Sequence, residues 1–195
     1  MVQSQDVLDF WFGSDDEPPE AERQKRWFIK DADFDERIRT NFGQALEQAI
    51  RGEYDQWAQT PRGRLALVIL LDQFSRNIFR ASPRAWSQDL LAQKLTLDGL
   101  EAGVDEELSP IERGFFYLPL EHAEDLHLQE LSVEKFREIA KQNPTDEFVA
   151  GMLDYALRHH EIIERFGRFP HRNEVISRPT TTEEATFLEQ PNSSF

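Results

Sequence analysis

The chain contains no cysteine. That excludes a disulfide framework, a thiolate zinc site and a cysteine nucleophile together, and it suits the reducing cytoplasm. Long apolar runs are also missing. The longest, residues 65–71, holds seven residues, against roughly 20 for a membrane-spanning helix. The opening M-V-Q-S-Q-D-V-L-D-F lacks the basic stretch and apolar core of a secretory leader. Positive charge is scarce: 22 Lys and Arg face 37 Asp and Glu, for a formal net charge of -15. A nucleic-acid backbone requires a basic face, so it is a poor partner for such a chain. There is no Gly-rich phosphate loop, no Gly-x-Ser-x-Gly elbow and no His-Glu-x-x-His pair, so the enzyme classes those motifs mark have no support. The expectation is a cytoplasmic protein that engages neither nucleic acid nor membrane.

Strand signals are absent as well, and helix signals fill their place. No run alternates apolar and polar residues, whereas Phe34, Ile38, Phe42, Leu46 and Ile50 recur at four-residue spacing until Gly52. Thr60-Pro61, Ser82-Pro83 and Ser109-Pro110 each pair a capping residue with proline at the first helical position. They predict helices over 61–79, 83–101 and 111–118. Further helices are read from a Ser4 cap, from Asp33, from a Ser132 cap to residue 141, and from a Thr145 cap over 146–166. A loop is expected at 14–20, a short helix at 21–28, and a break or kink at Pro119. Thr181-Thr182-Glu183-Glu184 reads as a capping box for a short helix near 182–189, followed by a loose tail. The prediction is one all-α domain over 1–195, built of antiparallel helix pairs, with a core rich in its 15 Phe and 4 Trp.

Three stretches could carry chemistry. The first, L-D-Q-F-S-R-N-I-F-R at 71–80, extends the apolar run with Asp72 and Arg76 on one helical face and Gln73, Asn77 and Arg80 on another. The second, Y-L-P-L-E-H-A-E-D-L-H at 117–127, puts Glu121 and Glu124 on one face with His122 beside them. Glu124 and His127 have the i,i+3 spacing of carboxylate-bridged di-metal bundles. The required second Glu-x-x-His is missing, so no metal site is assigned. A mononuclear site from Glu121, Glu124 and a distant histidine stays open. The third, 159–173, gathers three of the five histidines with Arg165, Arg168 and Arg172. There Tyr155, His159, Ile163 and Phe166 share a stripe, His160 and Glu164 form another, and His171, Arg172 and Asn173 lie beyond the last helical turn.

With these residues in view, the chain resembles, over nearly its full length, a bacterial family known as domain of unknown function 924. The resemblance rests on Asp9-Phe10-Trp11-Phe12, Arg26-Trp27-Phe28, the whole 71–80 stretch, Glu121-His122-Ala123-Glu124 and 165–173. It implies an all-α fold grouped with tetratricopeptide-like helical arrays, although that repeat's own signature is absent here. It implies no activity and no cofactor. Such relatives usually carry Ser where this chain has Ala123, so a hydroxyl there is not part of the candidate site.

Two functional readings remain. In one, Glu121, His122 and His171 act as catalytic candidates in a polar pocket, with Asp72, Gln73, Arg76, Asn77, Arg80, Glu124, His160, Arg172 and Asn173 as ligand-binding candidates. The occupant is a small anionic or polar molecule, and the chemistry is acid–base or hydrolytic. In the other, the protein is a non-catalytic helical module for a protein or peptide partner, and its polar motifs form an internal salt-bridge network.

Overall fold

The helix signals are realised in the computed structural model, which describes residues 1–13, 27, 29–191 and 193–194. Every regular element among them is helical, so the protein is all-α. The loop read at 14–20 and the helix read at 21–28 lie outside the described residues, apart from Trp27. The described residues fall into two compact units.

The first unit comprises 1–80 and 84–116. Helix α1 (Ser4–Phe12) starts one residue earlier than the Ser4 cap implies. Gln3 is the cap, and its backbone N–H donates to the Asp6 carboxylate at 2.8 Å. Helix α2 (Ala32–Ile50) is capped by Asp31 rather than Asp33, through bonds to the N–H groups of Asp33 and Phe34. Helix α3 opens as expected, with Thr60 accepting from Gly63 N–H and Pro61 in the first turn. It runs Pro61–Val68, widens into a π-helical stretch, Ile69–Phe74, and ends as Ser75–Ile78. A π stretch rotates the following side chains relative to a regular helix, and here it lies within the apolar run, with Asp72 fully buried. Ser82-Pro83 starts only the 3-10 turn Pro83–Ala85; α4 waits until Asp89 and spans Asp89–Glu101.

The aromatic residues meet in this unit's core. Trp11 packs on Phe34, Phe74 and Phe115 with ring centroids 6.1, 5.6 and 5.6 Å apart. Trp27 stacks against Trp11 and donates its indole N–H to the Trp11 carbonyl at 3.0 Å. Such rings are the largest apolar contributors to a core, and their edge-to-face contacts add about 0.5–1.5 kcal/mol per pair.

The second unit comprises 81–83 and 117–195. Helix α5 (Pro110–Glu121) gives this unit its last turns. Pro119 does not end the helix: its missing donor costs one bond, but His122 N–H still reaches the Leu118 carbonyl at 2.9 Å. Helix α6 (Leu126–Gln142) begins before the Ser132 cap read from the sequence. Asp125 caps it by accepting from Leu128 N–H, and Ser132 is buried inside. Asp146, not Thr145, caps α7 (Glu147–Phe166), accepting from Phe148 and Val149. Helices α6 and α7 pack along each other, and the residues joining them, 143–146, are few enough to make the pair antiparallel. Thr181 forms the expected capping box with Glu184 for α8 (Thr182–Leu188). The tail read as loose is tied at Ser193, whose hydroxyl donates to the Leu188 carbonyl at 3.0 Å. No described helix is long and apolar enough to cross a membrane.

Two glycines give opposite predictions. A Cβ on Gly63 would lie 2.2 Å from the backbone carbonyl oxygen of Trp57, which cannot yield without disrupting the α3 entrance. A Cβ on Gly151, exposed in the second turn of α7, meets nothing within 4 Å. Gly63→Ala should therefore destabilise by about 1–3 kcal/mol, and Gly151→Ala should stabilise by about 0.5–1 kcal/mol through the entropy of the unfolded chain. Urea titrations of both variants check the pair of signs. A pH effect follows from Glu184. The Arg168 guanidinium, bonded at 2.6 and 2.8 Å, and the Thr181 cap hold its carboxyl down at about 2, against an ordinary 4.5. The depressed value means its stabilisation is full above 4.5 and drains away as pH falls toward 2. The difference in melting temperature between wild type and Glu184→Gln should be flat at neutral pH and shrink across that acid window.

Candidate functional site

Local chain geometry in the second unit brings together two of the three polar stretches, 117–127 and 159–173. After α5 the chain turns through 122–125, and buried Gln129 holds that turn by donating to the carbonyls of Glu121 and Ala123 at 2.5 and 2.8 Å. This sets Glu121 and His122 side by side. At the far end of α7, Gly167 adopts φ +68°, where a side chain is strained, and reverses the chain. Phe169 then drops into the core with Ile162 and Ile163. The 3-10 turn Pro170–Arg172 follows directly, so an apolar anchor positions His171 and Arg172.

Glu121 and His159 are both buried, each with 3% of its surface exposed. Glu121 Oε1 lies 3.3 Å from His159 Nδ1, and the same nitrogen lies 2.9 Å from the Tyr155 carbonyl oxygen. A carbonyl only accepts, so Nδ1 carries the proton and Nε2 keeps its lone pair. Burial pushes the His159 imidazole well below its ordinary range. The nearby His122, Arg172 and His171 oppose its protonation further, and the bond to Tyr155 does not offset them. His159 is therefore an uncharged base at neutral pH. His122, partly exposed, has its ring 6.1 Å from that of His159. One donor atom from each of Glu121, His122 and His159 falls within 4.8 Å of the others.

Cations border this cluster. Phe169 packs edge-on against His159 at 5.4 Å and touches His171 at 5.7 Å. The buried Arg172 lays its guanidinium 4.5 Å from the Phe169 ring centroid and donates to the His122 carbonyl at 3.0 Å. Glu124 turns to a framework: it accepts from Phe169 N–H at 2.8 Å and from both terminal nitrogens of Arg178. Burial alone would raise its carboxyl, but the bonds from Arg178 and Phe169 and the charge of Arg172 hold it below the ordinary carboxylate range. Asn173 accepts from Arg178 Nε and donates toward Thr180 and Glu184. Glu121, His122, His171 and Arg172 are thus brought together, while Glu124 and Asn173 brace the corner behind them. His160 is not one of the three clustered groups; its neighbour His159 is. The signal was present in the sequence, since His159 shares the apolar stripe of Ile163 and Phe166 and must face inward, whereas His160 does not.

The candidates of the first unit are engaged with carboxylates of that unit. Arg76 donates to Asp89 through two nitrogens at 2.9 and 3.1 Å and meets Asp72 at 2.9 Å. Asp72 and Asp89 drive its guanidinium above the ordinary range, although burial works the other way. Gln73 donates to Asp72 at 2.6 Å, joining the Asp72–Arg76 set rather than the line expected with Asn77 and Arg80. Asn77 and Arg80 both bind Asp35, at 2.8 Å and at 2.7 and 2.8 Å. Neither Asp35 nor Asp89 was foreseen as a partner, because each belongs to a helix distant in sequence.

Three comparisons set this site in context. The model of a family described as bacterial protein of unknown function (DUF924) matches residues 7–192. The solved structure of a protein of unknown function from Agrobacterium tumefaciens is similar, with 37% sequence identity, a TM-score of 0.81, and 95% of this chain and 96% of that chain covered. Among curated proteins none matches. Its residues and its fold together place this chain in that bacterial family of unknown function, DUF924.

Proposed function

We propose that the protein binds a small anionic or polar molecule at the Glu121–His122–His159 cluster and performs acid–base chemistry there, of which hydrolysis is the simplest form. The observation that carries the reading is the state of His159: buried, uncharged, and with Nδ1 committed to the Tyr155 carbonyl. Such a ring offers one lone pair in a defined direction, which is what a proton acceptor requires. The Glu121 carboxylate, 3.3 Å from the ring, would favour the charge that develops as the ring takes a proton. Arg172 and His171 supply positive and donor character for an anionic group, and the partly exposed His122 is the route from solvent. Small cationic sites in acidic proteins suit single small anions, since the surrounding charge rejects polyanions.

Thermal shift against inorganic phosphate, phosphomonoesters and short carboxylates tests the reading. A ligand at 100 times its Kd stabilises by about 2.7 kcal/mol, which for a chain of this size raises Tm by roughly 5–10 °C. The shift should vanish in His159→Gln and in Arg172→Ala, and a wild type that responds to none of these compounds would sink the proposal.

A second reading has its own support in the first unit. There Asp72, Gln73, Arg76, Asn77 and Arg80 are tied to one another or to Asp35 and Asp89, as a register-fixing network would be. Helix α4 also leaves Leu90 and Leu97, one face of the helix, 79% and 37% exposed, the sort of surface a helical module would offer a partner. On this reading these five residues serve architecture. Arg76→Met should then cost stability, by about 3 kcal/mol or more because two buried carboxylates lose their counter-charge, without altering any ligand-induced shift. Chemical denaturation and the same thermal-shift panel measure the two halves of that expectation.

A further inference from the structure

We infer that Glu121, His122 and His159 form a binding site for one divalent transition-metal ion, zinc being the ion their donor chemistry suits. The inference rests on the reading above, because it names what first occupies the same cluster, and the small anion then binds beside the ion. Two imidazoles and one carboxylate are a common donor set for a zinc ion that keeps a further position open to water or substrate. The three donor atoms lie within 4.8 Å of one another, and a tetrahedral ion at ordinary bond lengths wants them about 3.3 Å apart, so the site would close by no more than about 1.5 Å around an ion. Rotation of the partly exposed His122 side chain is the adjustment that would bring its nitrogen in.

The surroundings resemble those that prepare a histidine for metal. A ligating histidine almost always donates its second N–H to a carbonyl or carboxylate, which fixes ring and tautomer. The Tyr155 carbonyl does this for His159 Nδ1 at 2.9 Å, which assigns coordination to Nε2. Glu121 is buried and supplies one negative charge at the ion. Arg172 is the adverse neighbour, since its charge opposes a cation. Its own field is partly met by Glu124, whose carboxyl it helps to hold ionised. The net positive charge that an ion would leave beside Arg172 has a consequence: an anion should be drawn to the open position, and ion and anion should strengthen each other's binding by the same factor. With the ion in place, the histidines are ligands, and the ion lowers the pKa of a water it holds, so that water takes over the role of base.

Cobalt(II) is the probe, because its visible absorption reports nitrogen and oxygen ligands in a low-coordinate site. Full-length protein should take up one equivalent and develop those bands. His122→Gln and His159→Gln should bind roughly 100-fold more weakly or lose the bands, and His127→Gln, whose side chain is 93% exposed beside Glu130, should match wild type. Circular dichroism establishes that each variant is folded. Should His159→Gln fail to fold, the partly exposed His122 carries the test alone. Absence of saturable uptake overturns the inference, as does uptake untouched by both substitutions or lost in His127→Gln. Titration of inorganic phosphate with and without cobalt separates the two proposals. Phosphate binding that needs Arg172 but occurs without any cobalt uptake overturns the metal site and leaves the anion reading standing. Cobalt uptake at the three residues with no phosphate binding in either state supports the metal site and overturns the anion reading.

Discussion

The recurring interaction in this protein is the bidentate bond between an arginine fork and a carboxylate. A guanidinium cannot shed its charge, so taking it out of water demands a geometry that satisfies several of its donors at once. Arg76 meets Asp89 in this way, Arg80 meets Asp35, Arg168 meets Glu184 and Arg178 meets Glu124. Every one of these ties spans residues that are far apart in sequence, or joins a helix end to a loop. A chain with net charge -15 has carboxylates to spare for this purpose. The arginines are the limiting partner, and their positions decide which loops are fixed. At the end of α7 the effect is local and strong. Arg168 and Arg178 hold the segment that follows Gly167 by both its flanks, and Phe169 anchors its centre in the core.

Beside that bracing lies a cluster of different composition. Glu124, Asn173 and Glu184 are bound by Arg178 and Arg168, and Glu121, His122, His159, His171 and Arg172 lie at the same corner. They differ from the rest in kind. The ties consist of permanent charges in matched pairs, whereas the cluster consists of two or more imidazoles around one carboxylate. Imidazole is a poor structural tie because it is uncharged when buried, and it gives up a hydrogen-bonding nitrogen whenever the other is fixed. A histidine used only for packing on the inward stripe of α7 could be replaced by leucine with a gain in buried apolar area. Its presence next to a buried glutamate makes sense where the lone pair has a task.

The helical class was legible in the sequence because its signals are local. The four-residue recurrence in α2, Thr60-Pro61 at α3 and the Thr181 capping box each act within a turn or two, and each is found where it was expected. Boundaries slipped where two candidates stood close together. Asp31 outcompetes Asp33, and Asp146 outcompetes Thr145, since a carboxylate one or two positions away accepts two backbone N–H bonds. Ser132 misled for a different reason: Asp125 had already begun the helix. At Pro119, read as a break or a kink, the helix continues, because a proline removes one donor but leaves those beyond it free to bond.

Part of the cluster could be picked out in the sequence, and the choice between His159 and His160 shows what kind of reasoning reaches the rest. Counting unusual residue types found the 121–124 and 165–173 stretches, because histidine and arginine are scarce here and concentrated. Choosing between His159 and His160 required asking which face of α7 is buried, and the stripe of Tyr155, Ile163 and Phe166 answers that. Tyr155 itself is 45% exposed, whereas His159 and Ile163 are buried and Phe166 partly so, and His159 is where the stripe turns inward. Pairings such as Arg76 with Asp89 and Arg80 with Asp35 could not be read in this way, since no periodicity within one helix encodes a partner on another. A polar motif on a single helix therefore tells which residues will need partners. Charge permanence separates the two kinds of group: Arg76, Arg80, Arg168 and Arg178 are always charged and are matched by carboxylates, whereas the His159 imidazole can be neutral and present a lone pair.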